Sequence, residues 1–261
     1  MLILIQGLSR LFKSLLIIIG ISIISVFGVL SLTGINLNDL VTVLEVDKSF
    51  VKRDFKHNSI SVNYNTPSGW SKLNTIDEQA YMAIVISEDW SFFDHPGVDL
   101  EQMKQAVADY LISDKRLRGA STISQQLVKN LFTDSERSLQ RKIKELVLTM
   151  ILERTTSKEK ILETYLNNVQ YGKSLYGITD ASDFYFDKSP EDLNVKEGAF
   201  LAMLLPNPVR YAISYEQQSL TEFASEKIGN LLFKLKVAKV ISEQELQFYS
   251  SKFSLFNNFS Y

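Results

Sequence analysis

Apolar residues are concentrated at the front of the chain. From Ser14 to Asn38 the sequence runs 25 residues without a charge, and its middle reads LLIIIGISIISVFGVLSL. A stretch of roughly 20 apolar residues crosses a bilayer as a helix, so residues 1–38 are expected to form a cytoplasmic N-terminus and one transmembrane anchor. A cleaved signal peptide is the alternative, but the run is long and lacks a clear A-x-A cleavage pattern. Arg10 and Lys13 flank the run on one side, and Asp39 is the first charge on the other. The positive-inside tendency then leaves the N-terminus in the cytoplasm and residues 39–261 outside the inner membrane.

Beyond the anchor the pattern changes twice. Residues 39–69 alternate polar and apolar positions (VTVLEV, SISVNY) and read as a stalk or linker with short strands, closed by the turn signal Thr66-Pro67-Ser68-Gly69. From residue 70 to 261 the spacing is helical. Asp99 stands as an N-cap before Leu100, Met103, Val107, Tyr110 and Leu111, and Thr156 with Glu159 has capping-box spacing before Ile161, Leu162, Tyr165 and Leu166. Between Ser138 and Arg154, Leu139, Ile143, Leu146, Val147, Met150 and Ile151 define one stripe, expected to be buried. At roughly 100° per residue Arg141, Lys142 and Glu145 then project from the other side. The expected fold class is mainly α: a helical domain on one anchor.

Composition narrows the chemistry. The chain has no cysteine and only His57 and His95, which excludes a disulfide scaffold and cysteine-rich zinc sites. Its net charge of −2 argues against a nucleic-acid partner. The charge is uneven, however. Lys115 to Glu145 holds eight basic residues against three acidic, a local +5. Such a block is ordinarily a solvated helix face; beside a membrane anchor it also faces phosphate-bearing lipids.

Four stretches carry candidate chemistry. Glu88-Asp89 follows the apolar run 83–86, where desolvation can raise a carboxyl pKa and make a general base of either acid; His95, before Pro96-Gly97, reads as a turn-fixing hydrogen-bond former. Gly119 to Asn130 offers hydroxyls and the amides of Gln125 and Gln126, suited to sugar hydroxyls or phosphate oxygens, and equally an N-capped helix with a polar face. Arg141, Lys142 and Glu145 are spaced for a surface ion pair, which spacing alone favours, or for a carboxylate held by two cations on a cleft wall. The fourth, Glu163 to Gly172, reads as a helix with a glycine stop.

In this order the segments resemble the peptidoglycan glycosyltransferases, glycosyltransferase family 51, which also form the polymerising domain of bifunctional penicillin-binding proteins. E-D-x-x-F-x-x-H-x-G is present as Glu88 to Gly97, G-x-S-T-I-x-Q-Q-L-x-K-N as Gly119 to Asn130, and R-K-x-x-E as Arg141 to Glu145. Y-L-N-x-x-x-x-G appears as Tyr165 to Gly172 and E-G-A-x-L-A-x-L-L-P-N-P as Glu197 to Pro208. The motifs span about half the chain.

The resemblance implies a lysozyme-like helical domain and an inverting polymerase that extends glycan strands from lipid II, releasing undecaprenyl diphosphate. It implies Glu88 as general base on the acceptor 4-hydroxyl, and Lys129, Arg137, Arg141 and, less closely matched, Lys142 at the donor diphosphate. Glu145 would be a second acid that orients the donor, helps hold a cation or assists the leaving group, while Ser121, Gln125 and Gln126 line the cleft. No cofactor is evident; the resemblance leaves room for a divalent cation, magnesium or manganese, at the diphosphate. Implied partners are lipid II, the lipid-linked strand, membrane lipid and other cell-wall synthesis or division proteins. The Tyr110 to Leu117 stretch is a candidate membrane contact. No K-T-G element of a transpeptidase occurs, so the expected type is monofunctional. The rival readings are a membrane-anchored muramidase or lytic transglycosylase, and a non-enzymatic lipid II-binding partner.

Overall fold

The computed structural model describes residues 28, 31–99, 101, 104, 121–133 and 138–251. Most of the expected anchor, most of the helix expected after Asp99, the Tyr110 to Leu117 stretch and Arg137 lie outside the described residues. No helix among the described residues is long and apolar enough to cross a membrane.

The described part is mainly helical, as the spacing predicts. Its centre is two helices, α2 (Glu78–Glu88) and α7 (Val195–Leu204). Every residue of α7 is buried. Their backbones touch, because a Cβ on Gly198 would sit 2.4 Å from the Cα of Ala80. The late E-G-A segment is therefore structural: Glu197 closes a capping box with Asn194 and pairs with Lys188 at 2.8 Å, and Gly198 permits the close approach. Gly198→Ala is expected to destabilise the domain by about 1–3 kcal/mol through overpacking, measurable by denaturant unfolding.

Around this pair, α3 (Ile123–Phe132) packs on α4 (Leu139–Thr155) and α5 (Lys158–Asn168). After a short β3 (Gln170–Gly172) and β4 (Leu175–Tyr176) come α6 (Ile178–Phe186), the single turns α8 (Pro208–Tyr211) and α9 (Ile213–Glu216), and α10 (Glu222–Val237), which covers α2 and α7, with α11 (Glu243–Ser251) packed on it. Gly172 thus lies in a strand, where a Cβ would meet the Tyr185 hydroxyl at 2.8 Å, and is no helix stop. Likewise α5 is capped by Ser157, which accepts from the Lys160 N–H, while Thr156 is buried at the end of α4.

In the 39–69 segment the short strands are present around SISVN, while the first part is not extended. VTVLEV is helical, within α1 (Leu37–Glu45); β1 (Phe50–Asp54) and β2 (Ser59–Asn63) form an antiparallel hairpin. The hairpin is fastened to the helices. Asn168 accepts from the Arg53 N–H at 2.9 Å and donates to the Val51 carbonyl, and the Arg53 guanidinium donates to the carbonyls of Asn130 and Leu131 at the end of α3.

The expected α4 stripe is inward only along one edge, where Val147 and Ile151 pack half-buried against the core; its other edge faces out. Leu139 is 78% exposed and Met150 48%, with Ile143 beside them, while the inward face carries Glu145, Leu148, Thr149 and Leu152. Leu148 and Leu152 form a second apolar line on the opposite side of the helix, so spacing alone could not choose between the two. Packing chooses the face whose charges find partners: Asp39 of α1 pairs with Lys144 at 2.8 Å, and Arg141 and Lys142 close on Glu145.

Candidate active site

The chain leaves α2 at Asp89, and the two acids of the first motif part there. Asp89 is 2% exposed and both its oxygens are committed. Oδ2 accepts from the Ile123 N–H, and Oδ1 lies 2.9 Å from His95 Nε2. The Gly97 N–H donates to His95 Nδ1 at 3.1 Å, which puts the imidazole proton on Nε2, pointing at Asp89. The Thr122 hydroxyl donates to the Gly97 carbonyl at 2.7 Å. Gly97 itself has φ +86° and lies against Glu153, whose Cγ would be 2.6 Å from an added Cβ. Asp89 and His95 thus clip the loop after α2 to the first turn of α3, in keeping with the turn-fixing role expected of His95.

Glu88 is left half-buried, with one oxygen held and the other without a hydrogen bond among the described residues. Its Oε2 accepts from Gln126 Nε2 at 2.9 Å, and Oε1 accepts no hydrogen bond among the described residues. Burial pushes its carboxyl above the usual range and the nearby Asp89 charge adds to this, while the Gln126 bond and the charge of Lys129 pull it back. Lys129 lies one turn along α3 from Gln126 and is exposed. Ser121 is exposed just ahead of the N-cap. Gln125 differs from expectation: it is buried, and its Oε1 accepts from the Thr122 N–H in a capping box, so it holds the end of α3 rather than lining the cleft.

On α4 the surface-pair alternative gives way to the buried one. Glu145 is 2% exposed; Arg141 Nη1 reaches Oε2 at 3.3 Å and Lys142 Nζ bonds Oε1. Arg141 also lines a cavity of about 200 Å³ with Lys144, Ser138, Thr133, Thr33 and others, between the end of α3 and the start of α4. Each Glu145 oxygen is held by a cation, and among the described residues no group of three or more His, Asp or Glu side chains could by itself hold a metal.

The sequence places Tyr165 among the apolar positions of α5 and at the head of the Y-L-N motif, but assigns its hydroxyl no role. The residue is buried, and its hydroxyl donates to Gln126 Oε1 at 3.0 Å. Nothing in the spacing distinguishes this tyrosine from a core residue. Ser124, Glu153 and Lys158 were also missed: Glu153 bonds the Ser124 hydroxyl and pairs with Lys158 at 2.8 Å, joining α3, α4 and α5.

The described part is thus a mainly helical domain that places a half-buried acid beside an amide, one helix turn from a lysine, with a helix of paired cations packed on the same α3. Residues 56–232 match the Transglycosylase family, and the chain belongs to it. It is 44% identical over 142 residues to the biosynthetic peptidoglycan transglycosylase of Acinetobacter baylyi, covering 54% of this chain and 63% of that protein. The protein of the same name from Haemophilus influenzae is 39% identical over 166 residues, 64% of this chain and 65% of its own. Penicillin-binding protein 1F of Bacillus subtilis is 40% identical over 140 residues, covering 54% of this chain and 20% of that protein. The matches thus span less than two thirds of these relatives' length.

Proposed function

We propose that the chain is a peptidoglycan glycosyltransferase that polymerises lipid II into β-1,4-linked glycan strands from the outer face of the bacterial cytoplasmic membrane. The observation that carries this reading is Glu88: one oxygen is held by Gln126, the other accepts no hydrogen bond among the described residues, and burial raises its affinity for a proton while the charge of Lys129 opposes that rise. In the reaction Glu88 takes the proton of the acceptor 4-hydroxyl as that oxygen attacks the anomeric carbon of the lipid-linked strand. The bond to the diphosphate breaks on the opposite side, and the configuration inverts.

The negative charge that develops on the departing undecaprenyl diphosphate is stabilised by Lys129, Arg137, Arg141 and Lys142. Glu145 holds two of those cations in place. Because the leaving group is already a good one, no general acid is required, unlike glycoside hydrolysis. Membrane lipid is the expected surface partner, which the outward Leu139, Ile143 and Met150 of α4 and Leu37, Val41 and Leu44 of α1 support; other cell-wall synthesis or division proteins are further partners.

The test is to incubate the full chain separately with lipid II and with finished sacculi. Polymer from lipid II is expected. Soluble fragments from sacculi without polymer point to a lytic enzyme and overturn the reading, and binding of lipid II without turnover does so too. Lys129→Ala is expected to lower the polymerisation rate by about 10²-fold, whereas Lys227→Ala on the far helix α10 leaves it within twofold of wild type in the same assay.

A further inference from the structure

The polar groups behind Glu88 form a chain with a direction. The Tyr165 hydroxyl donates to Gln126 Oε1 at 3.0 Å, and Gln126 Nε2 donates to Glu88 Oε2 at 2.9 Å and, at 3.5 Å, to the Ser121 carbonyl. An amide can in principle turn over and present its oxygen to the acid, which would favour a protonated Glu88. Here that reversal would take from the buried Tyr165 proton the acceptor it has among the described residues, and a buried donor without a partner is costly. Tyr165 stays protonated, because burial and the Glu88 charge push its hydroxyl well above the ordinary range.

We infer that Tyr165 is a positioning residue for the general base: it locks the Gln126 amide with its N–H toward Glu88 and thereby holds Glu88 ionised and aimed. The inference rests on Glu88 being the base. The titratable groups that act on Glu88 are Lys129 on α3, which favours its charge, and Asp89, which opposes it; the buried Tyr165 and Tyr171 lie close enough to feel its charge. Tyr171 supplies a matched control, since its hydroxyl is equally buried but makes no hydrogen bond among the described residues.

The experiment is the pH dependence of kcat/KM for lipid II polymerisation by the full chain. A base must be deprotonated, so weakening the donor to Glu88 raises its pKa and moves the acid limb upward. Tyr165→Phe is expected to move that limb up by about one pH unit, and Tyr171→Phe to leave it in place. Gln126→Met removes the same bond from the cleft side and is expected to move the limb at least as far, with Tyr165→Phe adding nothing on top of it. An unmoved limb in Tyr165→Phe, an equal movement in Tyr171→Phe, or additive shifts in the double variant each overturn the inference. Retained polymerisation in Glu88→Gln would instead refute the base assignment itself, so the two failures are distinguishable.

Discussion

Glu88→Gln is expected to lower lipid II polymerisation by about 10²–10⁴-fold while leaving lipid II binding largely intact. The substitution keeps the shape of the side chain, and its amide oxygen can still accept from Gln126 Nε2; what disappears is the oxygen able to take a proton. Stability should change in the opposite sense to activity. The folded protein raises the Glu88 pKa through burial, so between the unfolded value and the higher folded one the native state binds more protons than the unfolded state. Stability therefore falls as pH rises through that window, and above it the full penalty of a desolvated carboxylate is present. Gln carries no such penalty. The variant is expected to unfold at higher denaturant than wild type near pH 7, and the difference should vanish once the pH drops below the unfolded value. Denaturant titrations at the two pH values, beside a polymerisation assay, check both halves. A variant that is active, or one whose stability advantage over wild type is no larger at neutral pH than at acid pH, contradicts the assignment of Glu88 as a buried base.

The neighbouring acid should behave in the reverse way. Asp89→Ala is expected to destabilise the domain by about 3–5 kcal/mol, because it strips the acceptor from the buried Ile123 N–H and from His95 Nε2 at once. Asp89→Asn is nearly isosteric yet does not restore the site. Both carboxylate oxygens accept, whereas an amide offers one acceptor and one donor, and the donor would face either the Ile123 N–H or the Nε2 proton that Gly97 fixes through Nδ1. The amide variant should thus show more than half of the destabilisation of the alanine variant, and lose activity with it, since the same contacts join the end of α2 to the start of α3. Thermal or chemical unfolding of the two variants decides this; an Asn variant as stable as wild type would mean that one of the two bonds contributes nothing.

The two acids illustrate how much of the site was legible beforehand. Their adjacency after the apolar run marked the place, and either was a candidate for the base. Their division of labour was not readable, because it depends on Ile123 and His95, which lie 34 and 6 residues away from Asp89. Gln125 and Gln126 show the same limit one residue apart on α3: one turns back to cap the helix, the other turns toward Glu88, and no composition rule separates them. On α4 the spacing puts the charges Arg141, Lys142 and Glu145 on one side, but leaves open whether that side faces water, which spacing favours, or a cleft wall. The helix has apolar residues on both faces, and only its neighbours decide which is inside.

What the amino-acid sequence determined by itself is the local and the additive: a predominantly helical chain, a long uncharged apolar run, an ordered set of motifs and a cationic block, all set by spacing and charge along the chain. What only the tertiary structure decided is which of several equivalent-looking groups is buried, and against what. Burial and hydrogen bonding between distant segments turned Asp89 into a brace and left Glu88 half-buried, with one oxygen unbonded among the described residues. They also sank Glu145 between two cations and made Tyr165 the end of a polar chain. Each of those outcomes depends on solvent being removed from one particular side of a helix, and the side is selected by contacts between helices.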